Sequence, residues 1–172
     1  GLPDKTIAES KERVRAALTS IGMELPAKRI IINLAPADLL KEGSHFDLRI
    51  ALAILAGLGV VPAEEIANYI VIGELGLDGA IMPVNGVLPV AIHANRRNKG
   101  FVSPEIEGSE AVWSGLNDIV AAPSLLSLIN HFKGVQQLPK PMARQKKSKT
   151  SILDMSDVKG QETAKRALEI AA

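Results

Sequence analysis

At 172 residues, 47% apolar and 23% charged, the chain has the length of one domain with a short remainder and the composition of a folded protein. A formal net charge of +1 excludes a global attraction to nucleic acid or membrane, so an electrostatic partner must be met by a local patch. The absence of cysteine excludes a disulfide framework and a thiol nucleophile and fits a reducing cytoplasm.

In chain order, residues 3–21 read as an amphipathic helix. Pro3 suits the first turn, Ile7, Val14, Leu18 and Ile21 recur at helical spacing, and Gly22 supplies the stop. Glu9 and Arg13 form an i,i+4 pair on its wet face. Residues 29–34, RIIINL, are a β-branched run between Pro26 and Pro36, which predicts a buried strand. Residues 46–57 predict a strongly apolar helix covered on nearly all sides, and 69–72 a second buried strand. The apolar run 50–61 is far shorter than the ~20 residues of a membrane span.

Within 73–84, Asp78-Gly79 between apolar residues predicts a hairpin on a type I′ turn, whose two central residues both need positive φ. Residues 87–98 predict a helix ending in the basic cluster Arg96, Arg97 and Lys99, capped by Gly100. Residues 101–102 and 119–121 predict short strands, and 124–132 a closing helix with Ser124 as N-cap. This order predicts an α+β domain of mixed α/β layers over residues 1–138, with helices packed on one face of a sheet. LPKP at 138–141 cannot continue a helix, and Lys140, Arg144, Lys146, Lys147 and Lys149 follow without an acid, so 139–152 predicts an exposed basic linker. Residues 153–172 turn helical again from Asp157 and predict the start of a second module. Gly1 in place of Met and the alanine-rich helical end predict that both termini lie within a longer protein.

Three ordered segments, NLAPADLLKEGSHFDL at 33–48, GELGLDGAIMPVNGVLP at 73–89 and DVKGQETAKRALE at 157–169, resemble the magnesium-chelatase-like, competence-associated AAA+ proteins of bacteria. In that family a domain of the Lon-protease, ribosomal S5 domain 2-like fold precedes a AAA+ motor that assembles as a ring and is linked to handling DNA in natural transformation. The resemblance implies that residues 1–138 are the Lon-like domain without its N-terminal strand, and that 153–172 open the motor. It implies other copies of the chain and DNA as partners, a cytoplasmic location without membrane contact, and ATP with Mg2+ as cofactors of the intact parent. No cofactor is expected on this chain itself. Val158, Lys159, Gly160 and Gln161 resemble the stretch beside the adenine base in AAA+ proteins. The phosphate-cradling G-x-x-x-x-G-K-[ST] loop does not occur in the sequence, so ATP hydrolysis by these residues alone is not expected.

Active Lon domains carry KDGPSAG and, beyond a Gly-Glu hairpin, PIGGLK; the Ser attacks the peptide and the desolvated Lys takes its proton. Laid on that pattern, Lys41-Glu42-Gly43 match, Ser44 takes the Pro position, His45 the nucleophile position and Leu88 the Lys position. The resemblance thus implies a silent dyad and no catalytic residue. A displaced nucleophile at Ser44 needs a base in reach; the nearest candidates in sequence are Lys41 and His45, and a Ser44–His45 dyad is sterically poor because adjacent residues at a helix start point in different directions. The favoured reading makes Ser44 the cap of a helix beginning near His45, with Asp47 completing a capping-box-like start.

His45, His93 and His131 are too widely spaced to suggest a metal site. Asp38 and Glu74 fall near the former active cleft and read as a loop tie and a hairpin anchor. Gly76, Gly79 and Gly86 make no dinucleotide fingerprint, because Gly79 begins a strand. Arg96, Arg97 and Lys99, with the linker's Lys140, Arg144, Lys146, Lys147 and Lys149, are candidates for nucleic-acid contact. The linker has no interleaved aromatics to stack bases and reads first as a solvated hinge. The chain is therefore expected to be a non-proteolytic accessory domain of a ring-forming, DNA-processing ATPase. Its rivals are an ATP-dependent Ser peptidase with a relocated dyad and a protein-interaction module without DNA contact.

Overall fold

The computed structural model describes residues 5–27, 29–32, 44–143 and 157–171. Helix α1 (Lys5–Ser20) buries Val14, Ala17 and Leu18, the i, i+3, i+4 stripe of an amphipathic helix, and packs on α2 (Asp47–Gly57). The side chain of Ile7, also expected on that stripe, lies outside the described residues. Helix α2 is apolar almost all round, and Leu48, Ala51, Leu52 and Leu55 are fully buried. A single turn, α3 (Ala63–Ile66), leads into strand β1 (Tyr69–Val71).

Next come the short strands β2 (Glu74–Leu75) and β3 (Ile81–Met82), paired as an antiparallel hairpin. Helix α4 (Val87–Arg96) leads to β4 (Gly100–Pro104). The 3-10 turn Glu105–Glu107, the short α5 (Gly108–Ala111) and the 3-10 turn Val112–Ser114 then lead to β5 (Ile119–Ala122). Helix α6 (Leu125–Phe132) closes this part of the chain, and α7 (Glu162–Ala171) follows after the undescribed 144–156.

The three longer strands form a parallel sheet in the order β1-β4-β5. Every residue of β4 and β5 is buried, and successive side chains enter different clusters. Val102, Val120 and Ala122 meet α1, α2 and α6 in a main core, whereas Phe101 and Ile119 meet Val87, Ala91, Ala94 and Ala111 in a second. Mixed α/β layers are as expected, but the helices cover both faces of the sheet and not one. Parallel strands need helical crossovers, and crossovers bury the faces they pass over.

Four local expectations are corrected. Residues 29–32 form no strand, and Ile30, Ile31 and Ile32 are 42%, 74% and 44% exposed; Asn33 and Leu34 lie outside the described residues. A β-branched run favours extension, but a strand also needs a hydrogen-bonding neighbour, and no described strand pairs with it. The hairpin turn is not type I′. Gly79 has φ +83°, but Asp78 does not adopt positive φ. Asp78 Oδ1 instead accepts from Ala80 N at 3.0 Å, and Gly79 N donates to Gly76 O at 3.0 Å, matching a type I turn followed by a left-handed glycine.

Helix α4 ends on Asn98, not Gly100. Asn98 has φ +52°, with Lys99 N bonding Ala94 O and Asn98 N bonding Asn95 O, each at 3.0 Å, a Schellman motif with Asn in the glycine role. Finally, α7 starts at Glu162 instead of Asp157, because Gly160 and Gln161 are both left-handed at +71° and +61°.

Candidate functional site

The connection from β1 to β2 passes tightly across the start of α2. Leu48 N donates to Gly73 O and Gly73 N donates to His45 O, both at 3.1 Å. Glycine suits this approach, since a Cβ at Gly73 would stand 2.9 Å from Leu48 Cδ2 and 3.2 Å from Ile81 Cγ2, and the buried Leu48 side chain would have to shift. The crossing sets Ser44 and His45 opposite Glu74 of the hairpin. Between them opens a cleft of about 300 Å3 lined by Ser44, His45, Glu74, Pro83, Val84, Asn85 and Glu107.

The Ser44 hydroxyl donates to the Glu74 carboxylate. Ser44 does not cap α2: its N-cap position is Phe46, which makes no side-chain cap bond. The local cap preference of serine yields here to a charged acceptor 30 residues away. Glu74 is in the hairpin as expected, but its side chain serves the cleft. His45 tilts against Phe46 with ring centroids 4.1 Å apart. Glu107 accepts from Val84 N at 3.0 and 3.2 Å. Burial raises its pKa, the Val84 bond opposes this, and the charge of Glu110 adds to the rise.

Behind the cleft, Asp47 is fully buried. It accepts from Ser10 Oγ at 2.5 Å and Arg13 Nε at 2.6 Å, with Leu75 N at the limit of bonding at 3.5 Å. One carboxylate thus joins α1, α2 and β2, in place of the capping role expected of it. Arg13 is raised in pKa, first by its bond to Asp47 and against the effect of burial. The expected pairing of Arg13 with Glu9 on the wet face of α1 is also present, at 4.0 Å. The burial of Asp47 had no local signal, because its partners are more than 30 residues away.

The residues expected at the site divide into three groups. Ser44, His45 and Glu74 do come together. Leu88 lies outside the cleft lining, its backbone N facing Glu110 Oε1 at 3.4 Å. Asp38, Lys41, Arg144, Lys146, Lys147 and Lys149 are outside the described residues. Arg96 and Arg97 are exposed at the end of α4, Lys99 donates through Nζ to Ala67 O at 2.8 Å, and Lys140 is exposed. His131 accepts from Leu138 N through Nδ1 at 3.0 Å, and His93 is exposed on α4. Val158, Lys159, Gly160 and Gln161 are all exposed and line no part of the cleft; four exposed residues do not by themselves enclose a nucleotide.

Glu107 and Asn85 were not foreseen. Glu107 lies on a 3-10 turn beyond β4, and only the crossing of chain segments brings it to Val84. Among the described residues the lining offers carboxylates, an imidazole, an amide and a hydroxyl, but no lysine.

Fold and site together define a mixed α/β domain with a polar cleft where a hairpin meets the start of a buried helix. The family model described as subunit ChlI of Mg-chelatase matches residues 1–107. The chain is 39% identical over its whole length to the uncharacterized protein YifB of Salmonella typhimurium, covering 34% of that protein. It is 38% identical, again over its whole length, to the competence protein ComM of Haemophilus influenzae, covering 35% of it. A Mycobacterium bovis relative is 36% identical, with 34% covered. The chain belongs to the magnesium-chelatase-like ComM/YifB family. It spans about a third of the length of the curated relatives it matches. Among the described residues, no helix is long and apolar enough to cross a membrane.

Proposed function

We propose that residues 1–138 form a non-proteolytic, Lon-like accessory domain of a ring-forming AAA+ ATPase that processes DNA. The observation that carries this reading is the chemistry around Ser44. Its hydroxyl is engaged by Glu74, a carboxylate and hence a poor base toward serine at neutral pH, and no lysine stands among the described lining residues. Leu88, at the position that resembles the catalytic lysine, has no proton to exchange. The cleft is built to hold a group by hydrogen bonds, not to activate a nucleophile.

The DNA role draws support from the competence protein among the relatives. It also draws on Arg96 and Arg97, exposed and without an ion pair among the described residues. ATP and Mg2+ belong, in this reading, to the motor of the parent protein, and other copies of the chain are its ring partners.

The contact of Ser44 with Glu74, and His45 in the same cleft, favour one second reading, a Ser peptidase with a relocated dyad. A peptidase assay on the chain and on Ser44→Ala separates the two. The proposal expects no cleavage above background by either protein; cleavage that disappears in Ser44→Ala sinks it. Duplex binding supplies the other arm. Its affinity should fall steeply with salt, and replacing Arg96 and Arg97 by Ala should flatten the log–log slope by about 1 for each guanidinium that neutralises a phosphate. Salt-independent binding would remove the DNA role.

A further inference from the structure

We propose that Asn85 is a site of self-modification: the backbone nitrogen of Gly86 attacks the Asn85 side-chain amide, ammonia leaves, and the cleft gains a third carboxylate. Two dipeptides of the sequence place a glycine directly after an Asn or Asp side chain, Asp78-Gly79 and Asn85-Gly86. Glycine leaves its own nitrogen unshielded and its backbone free to turn, so each is a candidate for closing a five-membered imide. The structure separates them.

At the hairpin tip the attacking nitrogen is already committed. Gly79 N donates to Gly76 O at 3.0 Å, and Asp78 Oδ1 accepts from Ala80 N at 3.0 Å. Gly79 also lies against α1, where a Cβ would stand 3.2 Å from Ser20 Oγ and 3.3 Å from Ile21 Cγ2. Closing the ring there gives up two hydrogen bonds and turns the backbone against a packed helix. An ionised carboxylate is, besides, a poorer electrophile than an amide.

Neither constraint holds at Asn85-Gly86. Both residues are exposed. Among the described residues, neither Gly86 N nor the Asn85 side chain has a hydrogen-bond partner, and a Cβ at Gly86 would meet nothing within 4 Å. The dipeptide bridges Val84, whose N donates to Glu107, and α4, where Val90 N donates to Gly86 O at 3.3 Å. Its two ends are thus tied, while the peptide between them can turn Gly86 N toward Asn85 Cγ without breaking a bond of the attacking nitrogen.

The step balances with water as the only co-reactant. Gly86 N gives its proton to water or hydroxide as it forms a bond to Asn85 Cγ. The Cγ–Nδ2 bond breaks, and ammonia leaves with a proton taken from water. Water then opens the imide, at Cγ to give aspartate or at the backbone carbonyl to give isoaspartate. In sum, asparagine and water become an acidic residue and ammonia, and nothing is oxidised or reduced. Because Asn85 lines the cleft with Glu74 and Glu107, the new charge turns that cleft further toward cationic groups. The isoaspartate form also adds a main-chain methylene beside the bond from Val84 N to Glu107.

The 172-residue chain is incubated for days in neutral and in mildly alkaline buffer, then digested and mapped by mass spectrometry. Asn85 should be the first asparagine to convert, to a mixture of aspartate and isoaspartate, with ammonia released in step. Conversion should run faster at the higher pH, because the attacking nitrogen must lose its proton. Asp78 should yield isoaspartate in urea but not in the folded chain, where Gly79 N is engaged. Asn85→Gln, whose longer side chain has to close a six-membered ring, should keep its amide, with an unchanged melting temperature confirming its fold. Three results overturn the proposal: another asparagine converting ahead of Asn85, an Asn85 that reacts in urea but stays intact in the folded chain, or isoaspartate at Asp78 in the folded chain as fast as at Asn85.

Discussion

Taking a carboxylate out of water costs several kcal/mol unless charge and hydrogen bonds compensate, and at Asp47 the compensation comes from other parts of the chain. Ser10 and Arg13 reach it from α1, and Leu75 N approaches from β2. Asp47→Ala should therefore destabilise the protein by about 3 kcal/mol, near the lower bound for a broken buried pair because Arg13 keeps some access to water. Urea denaturation measures the loss, and Asp47→Asn, which retains an acceptor, should lose less. An Asp47→Ala midpoint equal to the parent's would show that the triad adds nothing net.

Glu107 works in the opposite sense. Its pKa is raised in the folded state, chiefly by burial, so the native protein holds this proton more tightly than the unfolded chain. Stability then falls as pH rises from the unfolded value of about 4.3 through the folded one. Glu107→Gln keeps an acceptor for Val84 N and removes the charge. It should raise Tm at pH 7 and leave it unchanged near pH 4. Thermal melts across that range check the sign, and an equal gain at both pH values would point to packing instead.

Among the elements, those whose ends are set by nearby residues were the most legible. Helix α6 begins where the sequence places it, at Ser124, whose Oγ accepts from Ser127 N at 3.2 Å while Ser127 Oγ accepts from Ser124 N at 3.2 Å. Ser124→Ala should cost about 1 kcal/mol. Combined with Ser127→Ala, the loss should be smaller than the sum of the two single losses, because both replacements break one reciprocal cap. Chemical denaturation of the two single variants and the pair tests this, and additive losses would argue against the cap. The end of α4 was less legible for a comparable reason. Asn98 and Gly100 both suit a helix stop, and only packing tells them apart. Gly100 is reserved for close approach, since a Cβ there would lie 2.4 Å from the Tyr69 ring. Likewise Asp78-Gly79 marked the hairpin, but its turn type was decided by the bond from Ala80 N to the Asp78 side chain.

At the scale of the whole molecule, the sequence by itself determined the mixed α/β class, the positions of α1, α2, α4, α6 and the hairpin, and the family. These follow from periodicity, turn chemistry and local motifs, all of which act over a few residues. It also brought Ser44, His45 and Glu74 to one region, through the resemblance of their motifs. Only the tertiary structure decided that helices cover both faces of the sheet and that residues 29–32 have no strand partner among the described residues. Only it buried Asp47 among donors from two other elements, gave the Ser44 hydroxyl to Glu74 and brought Glu107 to the cleft. Each of these depends on which distant segment occupies the neighbouring space. Burial and hydrogen-bond partners are properties of the assembled fold, and no local pattern carries them.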